Sequence, residues 1–234
     1  MAADPDNEGE YASPACSMHD VDPAYMGLAP ARLSGTKVEV WRQAERKRLI
    51  EARLAIAAAE RGRRALAIAA NLDRVLDPLY GRVISLYWPI RGEPDLREWM
   101  ASATQKGAIC LLPVIVGKGQ PLAFRAWKHG DPLDRGVWNI PFPANGEEMG
   151  PDVVIAPVVG YDGGCYRLGY GGGYYDRTLA AMGQSPLVIG VGYDFQHIPT
   201  VHPQPHDIPM DIIVTDEKVI RRSGERRRPS TFVE

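Results

Sequence analysis

Arg167-Leu168-Gly169-Tyr170-Gly171-Gly172-Gly173-Tyr174-Tyr175-Asp176-Arg177 is the stretch on which the reading of this chain turns. The apolar run from Asp152 to Val159 precedes it and reads as a buried strand. Tyr174 to Met182 follows and reads as a helix, with Tyr175 and Leu179 on one face. The glycines therefore occupy a loop between a strand and a helix N-terminus. Such a loop gathers free backbone amides at the positive end of a helix dipole, which makes it an anion site, most often for phosphate. Glycine permits positive φ and a close approach of backbone to ligand. Arg167 adds a planar, permanently charged fork suited to phosphate oxygens, and Asp176 falls in the first helical turn. The spacing is not a P-loop, since no Gly-Lys-Ser/Thr follows, and it misses the dinucleotide fingerprint. As bare spacing, the loop is also compatible with a tight turn packed by tyrosines.

Outward from this loop, strands and helices alternate. Gly81 to Ile90 reads as a buried strand that ends in Arg91-Gly92-Glu93-Pro94. Ligands of open α/β sheets bind at such carboxyl ends. Trp88 and Glu93 are there either to hold a flat, polar substrate or as a core tryptophan and a solvated acid. Asp95 to Gln105 reads as a helix and Gly107 to Ile115 as the next strand. Pro121 to Trp127 reads as a short edge strand, 128–150 as a long surface loop, and Pro186 to Tyr193 and Asp211 to Thr215 as further strands. This alternation predicts an α/β domain with a mostly parallel central sheet. Nearer the N-terminus, Thr36 is a candidate cap for a helix from Lys37 to about Ala59. Val40, Ala44, Leu49 and Ile56 mark its apolar face; Arg42, Arg46, Lys47, Arg48 and Arg53 mark the other. That basic face is either solvated or sends one or two arginines to a phosphate held elsewhere. A second helix is expected from about Arg63 to Leu76. Residues 1–35 read as a disordered tail, 36–218 as the domain and 219–234 as a basic, solvated tail.

Composition excludes several classes. A formal net charge of −2 over 234 residues carries no global nucleic-acid footprint. No apolar stretch approaches the ~20 residues that cross a bilayer. The acidic N-terminus is neither a secretory signal nor a typical transit peptide, so a cytoplasmic location is expected. Cys16, Cys110 and Cys165 are widely spaced, which suggests a reducing compartment and no metal cluster. His197, His202 and His206 lie among prolines at a spacing that matches no zinc pattern.

From about residue 38 to 215 the chain resembles the 5-formyltetrahydrofolate cyclo-ligase family, also called methenyltetrahydrofolate synthetase. The family signature, Arg-Leu-Gly-x-Gly-x-Gly-Tyr-Tyr-Asp, is matched by Arg167 to Asp176 at every defined position. Trp138-Asn-Ile-Pro, Lys106-Gly107 with Leu112-Pro113, and His206-Asp207 ahead of Asp211 add to it. The resemblance implies a three-layer α/β/α fold in a single domain. It also implies ATP-dependent conversion of 5-formyltetrahydrofolate to 5,10-methenyltetrahydrofolate, with ADP and phosphate released. By position it implies that Arg167, Leu168, Gly169, Tyr170, Gly171, Gly172, Gly173, Tyr174 and Tyr175 cradle the ATP phosphates, with Arg167 and Tyr174 catalytic. Arg42 and Arg46 would contact ATP, Trp88 and Glu93 the folate, and Asp176 and Asp207 a Mg²⁺ ion. The expected partners are these small molecules, without nucleic acid or membrane, in a monomer or weak dimer. Arg42 stands where the family usually has Lys, Cys165 where Gly is common, and Trp88 where a smaller apolar residue is usual. The alternatives are another ATP- or phosphosugar-using enzyme on the same scaffold, or a non-catalytic nucleotide- or folate-binding relative.

Overall fold

The computed structural model describes residues 35–224; of the tails expected over 1–35 and 219–234, residues 1–34 and 225–234 lie outside the described residues. Helix α1 (Thr36–Ala55) and helix α2 (Ala58–Leu76) lead into strand β1 (Val83–Ser85), helix α3 (Arg97–Gln105), and strands β2 (Ile109–Ile115) and β3 (Leu122–Ala126). A small hairpin, β4 (Leu133–Arg135) with β5 (Pro141–Pro143), precedes β6 (Val153–Pro157). A second hairpin, β7 (Gly160–Tyr161) with β8 (Arg167–Leu168), carries the chain into the glycine loop and helix α4 (Tyr174–Ala181). Strands β9 (Leu187–Val191), β10 (Ile212–Val214) and β11 (Val219–Arg221) complete the sheet.

The seven-stranded sheet runs in the order β11-β10-β9-β6-β1-β2-β3. Its five inner strands are parallel, and β3 and β11 close the two edges antiparallel. Alternating residues of one strand serve opposite faces. Val153 and Ile155 of β6 join Ile68, Leu72 and Leu76 of α2 and Trp99 and Met100 of α3. Val154 and Ala156 meet Tyr175 and Leu179 of α4 on the other side. This is the layered, mostly parallel α/β architecture expected. Among the described residues, no helix is long and apolar enough to cross a membrane.

Chain order reverses between β1 and β6: β1 leads outward to β2, whereas β6 leads the opposite way to β9 and β10. The segments leaving the carboxyl ends of β1 and β6 part there, and such a crevice is the usual ligand position in an open α/β sheet. Helix α1 lies beside this end. Leu49 packs with Val159, Leu168, Ile198 and Val201.

Several local expectations change. Gly35, not Thr36, occupies the N-cap of α1, with no side-chain cap bond. The first helix breaks at Ile56 and Ala57, ahead of the expected Ala59, and the Arg61 guanidinium donates to the Ile56 carbonyl there. The strand expected over 81–90 keeps sheet pairing only at Val83–Ser85, then turns away towards Glu93. The segment expected as a tail from 219 begins with β11, which pairs Val219 with Val214. The apolar face expected on α1 is also rotated. Val40 is 63% exposed, whereas Val38, Leu49 and Arg53 are buried and Trp41, Arg42, Arg46 and Ile50 half-buried. That set has the 3.6-residue period of one helix face, and three of its members are arginines.

Candidate active site

The glycine loop opens α4 as the sequence predicts. Gly171 (φ 93°) and Gly173 (φ 63°), the N-cap of α4, occupy the left-handed region, where a Cβ is disfavoured. None of the amides from Gly169 to Gly173 donates to an acceptor among the described residues. The loop is anchored through its carbonyls instead. Arg46 Nε donates to the Gly169 carbonyl at 2.7 Å, and Arg177 donates to the Gly172 carbonyl at 2.6 Å. Free amides and anchored carbonyls together make an electropositive cradle.

Beside the loop is a cavity of about 840 Å³, walled by Arg42, Arg46, Lys47, Arg91, Tyr170, Gly171 and His206 among others. Burial and the neighbouring Arg42 lower the pKa of Arg46, against a raising contribution from Asp207. Arg91 (φ 47°) extends its guanidinium over the Tyr170 ring, 5.5 Å from the centroid.

Asp176 and Asp207 are each engaged by an arginine. Arg167 Nη2 donates to Asp176 Oδ2 at 2.8 Å, and the Ile208 amide donates to Oδ1 at 3.1 Å. Asp176 thereby reaches the peptide unit that follows Asp207. Asp207 is paired with Arg42 and accepts the Gln204 amide at 2.7 Å. As donors the two carboxylates suit Mg²⁺, which takes hard oxygen and uses one or two carboxylates beside phosphate and water. Each Asp176 oxygen accepts one bond and so retains a lone pair. Among the described residues no group of three or more His, Cys, Asp or Glu could hold a metal.

Glu93 is buried, 5% exposed. Its Oε1 accepts the Tyr170 hydroxyl at 2.8 Å and its Oε2 the Ile90 amide at 2.8 Å. Burial pushes its pKa up to about 7, while Arg53, the Ile90 amide, Tyr170 and Arg91 pull it down. Arg53, 0% exposed, donates to the Tyr170 hydroxyl at 2.5 Å and to the Arg91 carbonyl at 2.9 Å. The Tyr175 hydroxyl is buried with no partner among the described residues.

A family model for the 5-formyltetrahydrofolate cyclo-ligase family matches residues 38–216. The chain belongs to this family. Among its relatives is a 5-formyltetrahydrofolate cyclo-ligase of Mycolicibacterium smegmatis, 30% identical over 148 residues, covering 60% of this chain and 76% of the relative. The NMR structure of the 5,10-methenyltetrahydrofolate synthetase of Aquifex aeolicus matches with a TM-score of 0.69 at 28% identity, over 82% of this chain and 97% of that one. A synthetase from Mycoplasma pneumoniae, at 24% identity and a TM-score of 0.63, shares the fold over 75% of this chain and 98% of its own.

The expected residues of this cyclo-ligase family member divide by place. Arg42, Arg46, Tyr170 and Gly171 line the cavity, and Glu93 is tied to it through Tyr170. Trp88 does not line it: its ring meets Trp127 edge-on at 5.8 Å and lies under the Arg97 guanidinium at 5.1 Å. Tyr174 sits between Trp138 (ring centroids 6.0 Å apart) and Arg177. The three histidines have different neighbours: His197 meets Tyr161, His202 meets Trp41 and His206 meets Asp207. Cys165 has φ 61°, so a position where the family commonly carries Gly is left-handed here. Arg53 is expected from the sequence only as one of five basic residues on a face that meets water or a phosphate, and Arg91 only as a loop residue. The signal for Arg53 was present, because Arg42, Arg46, Leu49 and Arg53 recur at helical spacing on one face.

Proposed function

We propose that the chain catalyses ATP-dependent cyclisation of 5-formyltetrahydrofolate to 5,10-methenyltetrahydrofolate, releasing ADP and phosphate. The observation that carries this reading is the run of amides at Gly169–Gly173 that have no acceptor among the described residues, which opens α4 beside a cavity walled by Arg42, Arg46, Lys47 and Arg91 together with Glu39 and Glu51. A polyphosphate is the ligand that such a wall recognises. The relatives, a 5-formyltetrahydrofolate cyclo-ligase and a 5,10-methenyltetrahydrofolate synthetase, supply the folate chemistry.

A formamide oxygen is a poor leaving group. Transfer of the γ-phosphoryl group of ATP to the formyl oxygen gives ADP and an N5-iminium phosphate. The N10 amine then attacks the formyl carbon, and phosphate departs with the C–O bond electrons as N10 loses its proton. Positioning and charge stabilisation do most of this work. The loop amides would hold the phosphates, and Arg46 and Arg42 would spread their charge. Arg167 fixes the Asp176 carboxylate at the start of α4. Glu93 would accept N–H donors of the pterin ring. Asp176 and Asp207 would hold Mg²⁺, which, when bound, neutralises phosphate charge. We read the protein as a cytoplasmic enzyme; Cys110 and Cys165, buried and unpaired, suit a reducing compartment.

The test is direct. Incubation with ATP, Mg²⁺ and 5-formyltetrahydrofolate should produce methenyl absorbance, with one ADP formed per product. ADP formation that ignores the folate, or no methenyl product at all, would overturn the reading.

A further inference from the structure

We propose that Arg53 is a positioning residue that locks the glycine loop to the Glu93 loop across the crevice where the sheet reverses direction. Its guanidinium makes three bonds to three separate segments. Nε donates to the Arg91 carbonyl at 2.9 Å, beyond β1. Nη1 donates to the Val158 carbonyl at 3.4 Å, beyond β6. Nη2 donates to the Tyr170 hydroxyl at 2.5 Å, in the glycine loop. Arg53 therefore ties the two chain segments that part at the switch point to the loop that takes the anion.

Two consequences follow from the same contacts. The Arg91 carbonyl is held where Arg91 and Gly92 both have positive φ (47° and 75°); that backbone keeps the Arg91 side chain over Tyr170 at the cavity wall. The Tyr170 hydroxyl accepts from Arg53 and donates to Glu93 Oε1, so a two-bond relay fixes the carboxylate. A buried arginine with no carboxylate partner of its own is costly unless its donors are used, and here they are used on parts of the site. The charged and titratable groups that influence Glu93 come from several elements. They are Arg53 on α1, Arg91 on its own loop and Tyr170 in the glycine loop; Glu93 in turn raises the pKa of Tyr87 beyond β1 and of Tyr175 on α4.

The inference rests on the proposed folate role of Glu93, so the test has one arm that needs no turnover. The Glu93 carboxyl carbon, identified by NMR as the resonance lost in Glu93→Gln, should titrate near 7 in the wild type. It should titrate at higher pH in Arg53→Met and in Tyr170→Phe, since each removes a contribution that favours the ionised form. Arg53→Lys, which keeps the charge, should titrate close to wild type. In the turnover arm, kcat/KM for the formyl folate should fall at least about tenfold in Arg53→Met, and Arg53→Met/Tyr170→Phe should be within about threefold of the worse single variant, because both act through one relay. An unmoved Glu93 titration, or fully multiplicative losses in the double variant, overturns the proposal. If Arg53→Met does not fold, Arg53→Lys decides it: the charge is kept but one ammonium cannot span the Arg91, Val158 and Tyr170 acceptors, so kcat/KM should still fall at least about tenfold, and a wild-type value overturns the proposal. Wild-type inactivity would overturn the functional reading and leave the titration arm to judge Arg53.

Discussion

Replacing Glu93 by glutamine should make the protein more stable near neutral pH and less active. The carboxyl has an ordinary value of 4.5 and is pushed up to about 7, chiefly by burial. The folded protein therefore holds this proton to higher pH than the unfolded chain. Stability linked to the group is fully present below the unfolded value and falls as pH rises towards the folded one. Integrating the linkage for this single site between about pH 5 and about pH 8 gives a loss on the order of 2.5 kcal/mol in the wild type. The substituted amide would be neutral throughout and would escape it. Urea unfolding at the two pH values, with unchanged m-values, should show Glu93→Gln gaining roughly 2.5 kcal/mol on the wild type. In thermal melts that corresponds to about 5–10 °C for a domain of this size. Methenyl formation should collapse, because an amide replaces the buried carboxylate that accepts from Tyr170 and the Ile90 amide. Parallel pH–stability curves for the two proteins would refute the argument, since they would mean that Glu93 ionises in the fold as it does in water.

Asp176→Asn should lower turnover by about two orders of magnitude or more, with partial recovery at high Mg²⁺ in the methenyl assay; the loss of its pair with the nearly buried Arg167 should also cost about 1–3 kcal/mol in chemical unfolding. Cys165→Ala should retain most turnover, since the thiol is buried with a raised pKa and is assigned no chemistry. Cys165→Gly should gain about 1 kcal/mol from relief of the left-handed backbone, less what the buried sulfur contributes by packing. Gly190→Ala should destabilise by about 1–3 kcal/mol in urea, because the added Cβ would stand 2.5 Å from Ile213 Cδ1 and 3.1 Å from Val158 Cγ1, and a stability equal to wild type would show that this sheet face can give way.

The alternating elements and the anion loop were legible because their determinants are local. Apolar period along Val153–Pro157 or Leu187–Val191 marks strands within the reach of a few residues, and the glycines of 169–173 announce a backbone that must turn and stay bare. The pairing of Arg167 with Asp176 lies within the same motif. Other features depended on partners far along the chain. β11 exists because β10 offers it an edge, and the β7–β8 turn closes on the Asp162 side chain, which accepts the Gly164 and Tyr166 amides. Arg42 was readable as a phosphate ligand but not as the partner of Asp207, 165 positions away. Arg53 shows the division best. The sequence set it with Arg42 and Arg46 on a basic face opposite Leu49, a face expected to meet either water or a phosphate. Only the fold set three acceptors around it, from Arg91, Val158 and Tyr170. Periodicity reports which residues share a face; whether that face meets solvent, core or a polar site depends on what the rest of the chain brings against it.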